Sequence, residues 1–323
     1  MKTKILITGA SGFVGGAFCQ RHGTDPSLEI RGLGRRPTSL PGYIQADLTK
    51  PLEIDWKPDV VIHAAARSSP WGSYHEFHRQ NVEATENVVE LCKQKNVSKL
   101  IYISSSSVFY KEGDQLQISE EDPIGPDFVN TYAQTKYEGE LVAKEFPGKV
   151  VILRPRAVFG PGDTVLFPRI LRAAQSQRMV KISRPGPAAV GDLIYIDTLV
   201  DYMLTAALVE CSGEFNLTNN QPVEIISFLE SVFEQLDLPK PTREVARDRA
   251  MKFAGLLEFV YGTFLPWMEP PITKFGVGVL GFSKTFNVQR CLDALGPPSV
   301  DLKTGIAEFV AWQKEQWAAK QAA

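Results

Sequence analysis

Cysteine is scarce in this chain of 323 residues, with only Cys19, Cys92, Cys211 and Cys291. None has C-x-x-C spacing or a companion histidine, which excludes a disulfide scaffold and offers no metal site. They read as reduced packing residues, and a cytoplasmic location is expected. An excess of one charge is missing as well. Thirty-five Lys and Arg face 37 Asp and Glu, a net charge of −2, so no attraction to nucleic acid or to an anionic membrane is expected. Any phosphate must be bound locally. The longest stretch without a charged residue, 5 to 20, contains four glycines and falls short of the roughly 20 apolar residues that span a bilayer. No membrane insertion is expected. A secretory leader is not expected either, because a strand pattern opens within a few residues of Met1 and no small-residue cleavage site follows an apolar core. Internal repeats and low-complexity tracts are absent too. What remains, 44% hydrophobic and 22% charged, is an ordinary globular composition of about two domains' length.

Aliphatic runs bounded by turn residues recur along the first half: KILIT, LEIRGL, DVVIHAAA, KLIYISS and KVVILRP. Their near-continuous apolar character suits strands covered on both faces. Between them, FVGGAFCQRH, Phe77 to Lys95 and Tyr132 to Phe146 have helical periodicity. Alternating strands and helices predict an α/β fold, a doubly wound parallel sheet of the Rossmann type. After about residue 165 the rhythm loosens. LIYI and FNLT are short strands, Asp197 reads as the N-cap of a helix through Val209, and a helix is expected from Leu302 to Trp317. Residues 1–165 are expected to bind the dinucleotide and 166–323 to form a smaller C-terminal substrate-binding lobe interleaved with them. The proline and glycine content of Met251 to Phe282 argues against a continuous amphipathic helix there.

The first βα turn reads T-G-A-S-G-F-V-G, with Gly9, Gly12 and Gly15 directly after a strand and at the start of a helix. A sharp turn that lets a pyrophosphate approach its backbone needs residues without Cβ, and the helix N-terminus supplies oriented N–H groups. A dinucleotide site is therefore expected on Ser11, Phe13 and Val14 as well as the three glycines. An NAD site usually offers an acidic residue after the second strand, whereas a 2′-phosphate needs a cation. Here Gly34 is followed by Arg35 and Arg36, which favours NADP(H) over NAD(H). The other reading, two surface arginines in a loop, stays open. Asp47, with Leu48 in the ADL turn, either accepts from the adenine amino group or caps its turn.

Tyr132-Ala-Gln-Thr-Lys136 places a phenol and an ammonium at i and i+4, one above the other on a helix. A tyrosine titrates near 10 unless a neighbouring positive charge favours the phenolate, and Lys136 is expected to supply that charge. The serine run 104–107 precedes them at the end of the fourth strand.

With these pieces in order the chain resembles the extended short-chain dehydrogenase/reductase family over nearly all its length. TGASGFVG, ADL, HAAA (63–66), NVEATENV, YISSSSVF, YAQTK, LRPRAVFGPGD, LIYID and FNVQRCLDALG carry the resemblance. It implies a catalytic serine, tyrosine and lysine: Ser105, with Ser104 and Ser106 as competitors, Tyr132 and Lys136. Asn81 matches a position that helps hold a water relay to the lysine, or it is a capping and packing residue. Arg154 and Pro155 are implied for the cofactor floor. His63, Ala64, Ala65 and Ala66 are implied for the cleft wall, His63 without acid–base work. The resemblance further implies a homodimer through helices of the sheet domain.

Within that family, Ala157 stands where nucleotide-sugar members often carry Asn, and Ser106-Ser107 stand where sugar dehydratases carry Asp-Glu. The sequence looks most like the 3β-hydroxysteroid dehydrogenase branch and its bacterial relatives that reduce 2-alkyl-3-oxoalkanoates. This implies a ketone/alcohol oxidoreductase acting on a bulky apolar small molecule, with Trp71, Tyr74, Phe77 and the aromatic segment 253–282 as pocket lining. A nucleotide-sugar epimerase or reductase is the enzymatic alternative. A redox sensor that binds NADP(H) without turnover is the alternative of another class, which retention of Tyr132 and Lys136 disfavours.

Overall fold

The computed structural model describes residues 2–69 and 71–322. Seven strands form the main sheet: β1 (Thr3–Thr8), β2 (Leu28–Gly34), β3 (Ile44–Gln45), β4 (Val60–His63), β5 (Lys99–Ile103), β6 (Lys149–Pro155) and β7 (Gly213–Leu217). They lie in the order β7-β6-β5-β4-β1-β2-β3 with every neighbouring pair parallel. The order reverses beside β1, so a crevice opens outside the carboxyl ends of β1 and β4, where ligands bind in such sheets.

The helices are α1 (Phe13–His22), α2 (Tyr74–His78), α3 (Ala84–Gln94), α4 (Thr131–Lys144), α5 (Phe167–Gln175), α6 (Ile196–Leu208), α7 (Ile225–Gln235), α8 (Arg247–Phe264), α9 (Lys274–Gly281), α10 (Gln289–Leu295) and α11 (Leu302–Ala322). Successive strand residues face opposite ways, and the two cores divide accordingly. Ile5, Ile7, Ile62, Ile101 and Val151 pack with Phe18 of α1 and Leu199 and Met203 of α6. Leu6, Val61, Leu100 and Ile152 pack with Val88 and Leu91 of α3 and Ala143 of α4. Both faces of the sheet are therefore dry, which is why its strands read as unbroken apolar runs.

The two halves of the chain interleave. β7 comes from beyond residue 165 yet pairs with β6 over five positions. Gln115–Ile118, from the first half, joins a second sheet with Lys284–Phe286, Val190–Gly191 and Val223–Glu224.

One local expectation changes. The residue that caps α6 is Tyr195, and Asp197 lies in the first turn, where it and Asp201 bind Arg21 of α1 at 2.6 and 2.7 Å. The segment from Met251 to Phe282 is not one continuous helix, as expected: the 18-residue α8 ends at Phe264 and α9 starts at Lys274. Pro266, Pro270 and Pro271 all fall between the two helices. No helix among the described residues is long and apolar enough to cross a membrane.

Candidate active site

A cavity of about 660 Å³ opens over the carboxyl end of the sheet. Its floor is the first βα turn. Gly9 takes φ +73° and sits so close to the β4 exit that a Cβ would lie 2.9 Å from Ala65. Gly12 donates its N–H to the Gly9 carbonyl at 2.8 Å, and a Cβ on Gly15 would lie 2.5 Å from that carbonyl oxygen. The three glycines hold a bare backbone against the start of α1, whose N-terminus has no side-chain cap. A Cβ would fill this cradle. The unspent N–H groups and the positive end of the helix dipole fit a pyrophosphate.

At the rim, the end of β2 carries no carboxylate. Arg36 donates to the Ser11 carbonyl at 2.7 Å and Arg35 to Gln80 Oε1 at 3.2 Å. Both guanidiniums are exposed and both line the cavity. Tyr43 and Gln45 fix their backbone carbonyls. Asp47 does cap its turn, accepting from the backbone and hydroxyl of Thr49 at 3.1 and 3.0 Å, and it lines the cavity as well. Burial raises its carboxyl, but the Thr49 bonds and Arg35 outweigh this and hold it below the usual range.

The opposite wall carries the reactive groups. Asn130 caps α4 by accepting from Ala133 at 2.8 Å, which presents Tyr132 and Lys136 on the helix face toward β5. Of the serines, Ser104 is committed elsewhere, donating to Glu140 at 2.5 Å. Ser105 caps the short turn 106–109 and accepts from the Ser107 hydroxyl at 2.9 Å. Its side chain and the Tyr132 ring both line the cavity. Lys136, 2 % exposed, holds its ammonium 4.1 Å above the Tyr102 ring.

The charges here differ from the expectation. Burial pushes the Tyr132 phenol above its ordinary value, with the Ser105 bond pulling the other way. Burial also brings the Lys136 ammonium down to about 7, against the pull of Glu140. Desolvation decides both shifts. The phenol is therefore protonated at neutral pH.

Gly9, Ser11, Gly12, Phe13, Val14 and Gly15 line the cavity, as do Leu48, Ala64, Ala65, Ala66 and Pro155. Several expected residues do not. His63 is 1 % exposed beneath the wall, its ring between Thr8 and Thr85 hydroxyls at 2.7 and 3.1 Å. Asn81, in a π-helical turn at Arg79–Glu83, accepts from the Arg67 backbone at 2.7 Å and donates to Thr135 at 3.0 Å. Its amide braces the loop after β4 from behind. Arg154 is likewise withdrawn, bound through Nε and Nη2 to Glu140 at 3.0 and 2.7 Å. The aromatic loop also packs rather than lines. Phe77 is buried 6.5 Å from the Tyr132 ring, Tyr74 bonds Glu138, and Trp71 reaches the Pro266 carbonyl at 3.2 Å. From the aromatic segment only Phe275 and Val279 reach the cavity.

Sequence reasoning missed Glu140, the fully buried hub one turn beyond Lys136. It missed Arg156 and Asp163 as lining residues too. Asp163 accepts from the backbone of Val165, Leu166 and Phe167 at the start of α5.

Burial holds His63 neutral down to about 3, with Lys136 adding repulsion. An unfolded histidine takes up its proton near 6.5, so between those values the unfolded state binds more protons and stability falls as the pH drops. Replacing His63 with Asn is expected to shrink the loss of unfolding free energy between pH 7 and pH 5 by about 2 kcal/mol, as read by urea denaturation at each pH.

A dinucleotide cradle, a Tyr-x-x-x-Lys helix and a hydroxyl-bearing strand end around one crevice define an NAD(P)-dependent oxidoreductase acting on CH–OH groups. A family model described as the NAD dependent epimerase/dehydratase family matches residues 5–217. The chain belongs to that family and is an enzyme of its extended short-chain dehydrogenase/reductase branch. It is 29% identical to a 2-alkyl-3-oxoalkanoate reductase of Stenotrophomonas maltophilia, over 95% of this chain and 98% of the relative. It is 27% identical to a sterol-4-alpha-carboxylate 3-dehydrogenase (decarboxylating) of Candida albicans, over 96% of this chain and 97% of the relative. Among solved structures it is similar to MoeE5 in complex with UDP-glucose and NAD, with a TM-score of 0.73 at 23% identity, covering 97% of this chain and 99% of that one. At that identity the likeness establishes the fold.

Proposed function

We propose that this enzyme is an NADP(H)-dependent reductase that converts a ketone on a bulky apolar substrate to a secondary alcohol. The observation that carries this reading is that Ser105, Tyr132 and Lys136 line the same cavity as the glycine cradle. Nicotinamide chemistry supplies the hydride when the cofactor is bound. Ser105 and Tyr132 hold the carbonyl oxygen, stabilising the charge that develops there. Tyr132 gives that oxygen its proton, and a phenol kept neutral by burial is the acid this direction requires. Lys136 replaces the lost proton charge as phenolate forms and orients the cofactor ribose. Asn81 holds the Arg67 loop and the α4 helix in register around that set.

Arg35 and Arg36 supply the 2′-phosphate contacts, and residues 1–165 and 166–323 serve as cofactor and substrate sides. Leu166, Phe275 and Val279 in the cavity lining suit an apolar body, in keeping with the names of the relatives. Ala157 adopts φ +44°, a conformation Asn takes more readily, and leaves no amide for a sugar nucleotide. The test follows NADPH and NADH absorbance against steroid and long-chain 3-oxo ketones, with UDP-glucose as a thermal-shift competitor. Wild type is expected to oxidise NADPH with an apolar ketone. Arg35→Ala is expected to raise the NADPH KM about tenfold or more, equivalent to one charge-assisted contact, with NADH little changed. Stabilisation by UDP-glucose without ketone turnover would overturn the substrate class, and equal losses for both coenzymes would overturn the phosphate assignment.

A further inference from the structure

Helix α8 keeps its small residues inside and presents its large ones to solvent. Its buried residues are Ala250 and Ala254, which pack with Ile182 and Val277 in a minor core. Phe253, Leu256, Phe259 and Phe264 are 57%, 59%, 67% and 67% exposed, and Trp267 and Met268, just past the helix end, are 76% and 47% exposed. Phe253, Leu256, Val260 and Phe264 fall at i, i+3, i+7 and i+11, a single stripe along the helix, with Phe259 beside it.

The extent of this face narrows what can cover it. At about 200 Å² for a large side chain wholly in water, the six side chains expose on the order of 700 Å². The largest apolar patch on an ordinary monomer is about 300–600 Å², whereas a stable interface covers about 800 Å² on each partner. The face is the size of one side of a protein interface.

The charges decide which partner fits. Residues 243–252 carry Arg243, Arg247, Arg249 and Lys252 against Glu244 and Asp248, four basic and two acidic, a net charge of +2. Residues 253–269 carry only Glu258 and Glu269, a net charge of −2. The stretch as a whole is neutral and has no excess of cations to hold an anionic lipid surface. Its polarity from end to end matches a second copy of itself laid antiparallel, in which the helix dipoles also oppose. Arg249 and Lys252 are exposed, and Glu269 stays 41% exposed beside Arg169. Glu258 is turned to α9, where it accepts from the Lys274 backbone at 2.8 Å.

We propose that this protein is a homodimer whose two-fold axis crosses α8, with the outward faces of the two copies of that helix packed antiparallel. A two-fold contact requires a self-complementary patch, and an apolar centre between ends of opposite charge supplies one. This is a different surface from the sheet-domain helices that the family resemblance implies. Because α8 packs on α9, which contributes Phe275 and Val279 to the cavity lining, the dimer braces the cavity wall from outside.

The test is sedimentation velocity of the full chain at micromolar concentration. Wild type is expected to sediment as a dimer. Leu256→Glu/Phe259→Glu is expected to weaken association about 100-fold or more and to sediment as a monomer, with an unchanged circular dichroism spectrum because neither side chain is buried within its own chain. Leu141→Glu, on the exposed side of α4, is expected to remain dimeric. Orientation is read in a Cys211→Ser background, where Arg249→Cys mixed with Glu269→Cys is expected to cross-link through a short bismaleimide while neither variant cross-links alone. A monomeric wild type, a dimer that survives Leu256→Glu/Phe259→Glu, or a dimer lost in Leu141→Glu would overturn the assignment, and cross-linking of either single variant would overturn the antiparallel packing. Monomeric wild type that cosediments with phosphatidylcholine/phosphatidylglycerol vesicles, while the double variant does not, would give the face to lipid instead.

Discussion

Replacing Tyr132 with Phe is expected to lower kcat for ketone reduction by about 10³-fold, within the range for removing a positioned general acid, while the Kd for NADPH measured by fluorescence stays within a factor of about two. No neighbouring group substitutes. His63 lies beneath the wall and protonates only near 3. Lys136 is buried over the Tyr102 ring, one helical turn behind the phenol. Ser105 keeps its place through the Ser107 bonds, so the variant retains carbonyl binding and loses the proton. Near-normal turnover by Tyr132→Phe would show that the acid lies elsewhere.

Glu140 carries the other large effect. Its carboxylate is wholly buried and bonded to Arg154 and Ser104, with Lys136 one turn away. Glu140→Ala leaves the Arg154 charge without a partner, and breaking a buried pair from one side costs about 3–5 kcal/mol. The expected result is a thermal midpoint lowered by roughly 4–7 °C at this chain length, read by circular dichroism. The double variant Glu140→Ala/Arg154→Met is expected to recover most of that loss, because it removes both charges. Recovery of less than about a quarter would show that the carboxylate supports the fold through packing instead.

Six strands of the main sheet and three of its helices were legible because each follows a local rule. Unbroken aliphatic runs mark doubly covered strands, and the glycine spacing directly after KILIT marks the cradle. Tyr132 and Lys136 were legible because i and i+4 share a helix face. Glu140 obeys the same spacing yet reads as an ordinary solvated charge. Its burial depends on Arg154, which arrives on a different strand. Arg156 was hidden for a similar reason, since Tyr110, Asp192 and Phe286 reach it from three distant stretches. His63 and Asn81 lie next in sequence to lining residues, and one step along the chain was enough to turn them behind the wall. In the aromatic segment, composition marked the break, which falls at the prolines between α8 and α9.

The outermost strand of the main sheet has a consequence for how this protein is made. β7 covers the free edge of β6 with five parallel partners, and its Asn216 is pinned by the Glu120 side chain at 2.7 Å and to the Ile118 carbonyl at 3.1 Å. A nascent chain leaving the ribosome presents Val151–Pro155 as a bare hydrogen-bonding border until residues 213–217 emerge, and such borders recruit other chains. A fragment released near residue 165 would keep that border permanently and is expected to aggregate, however complete its nucleotide cradle.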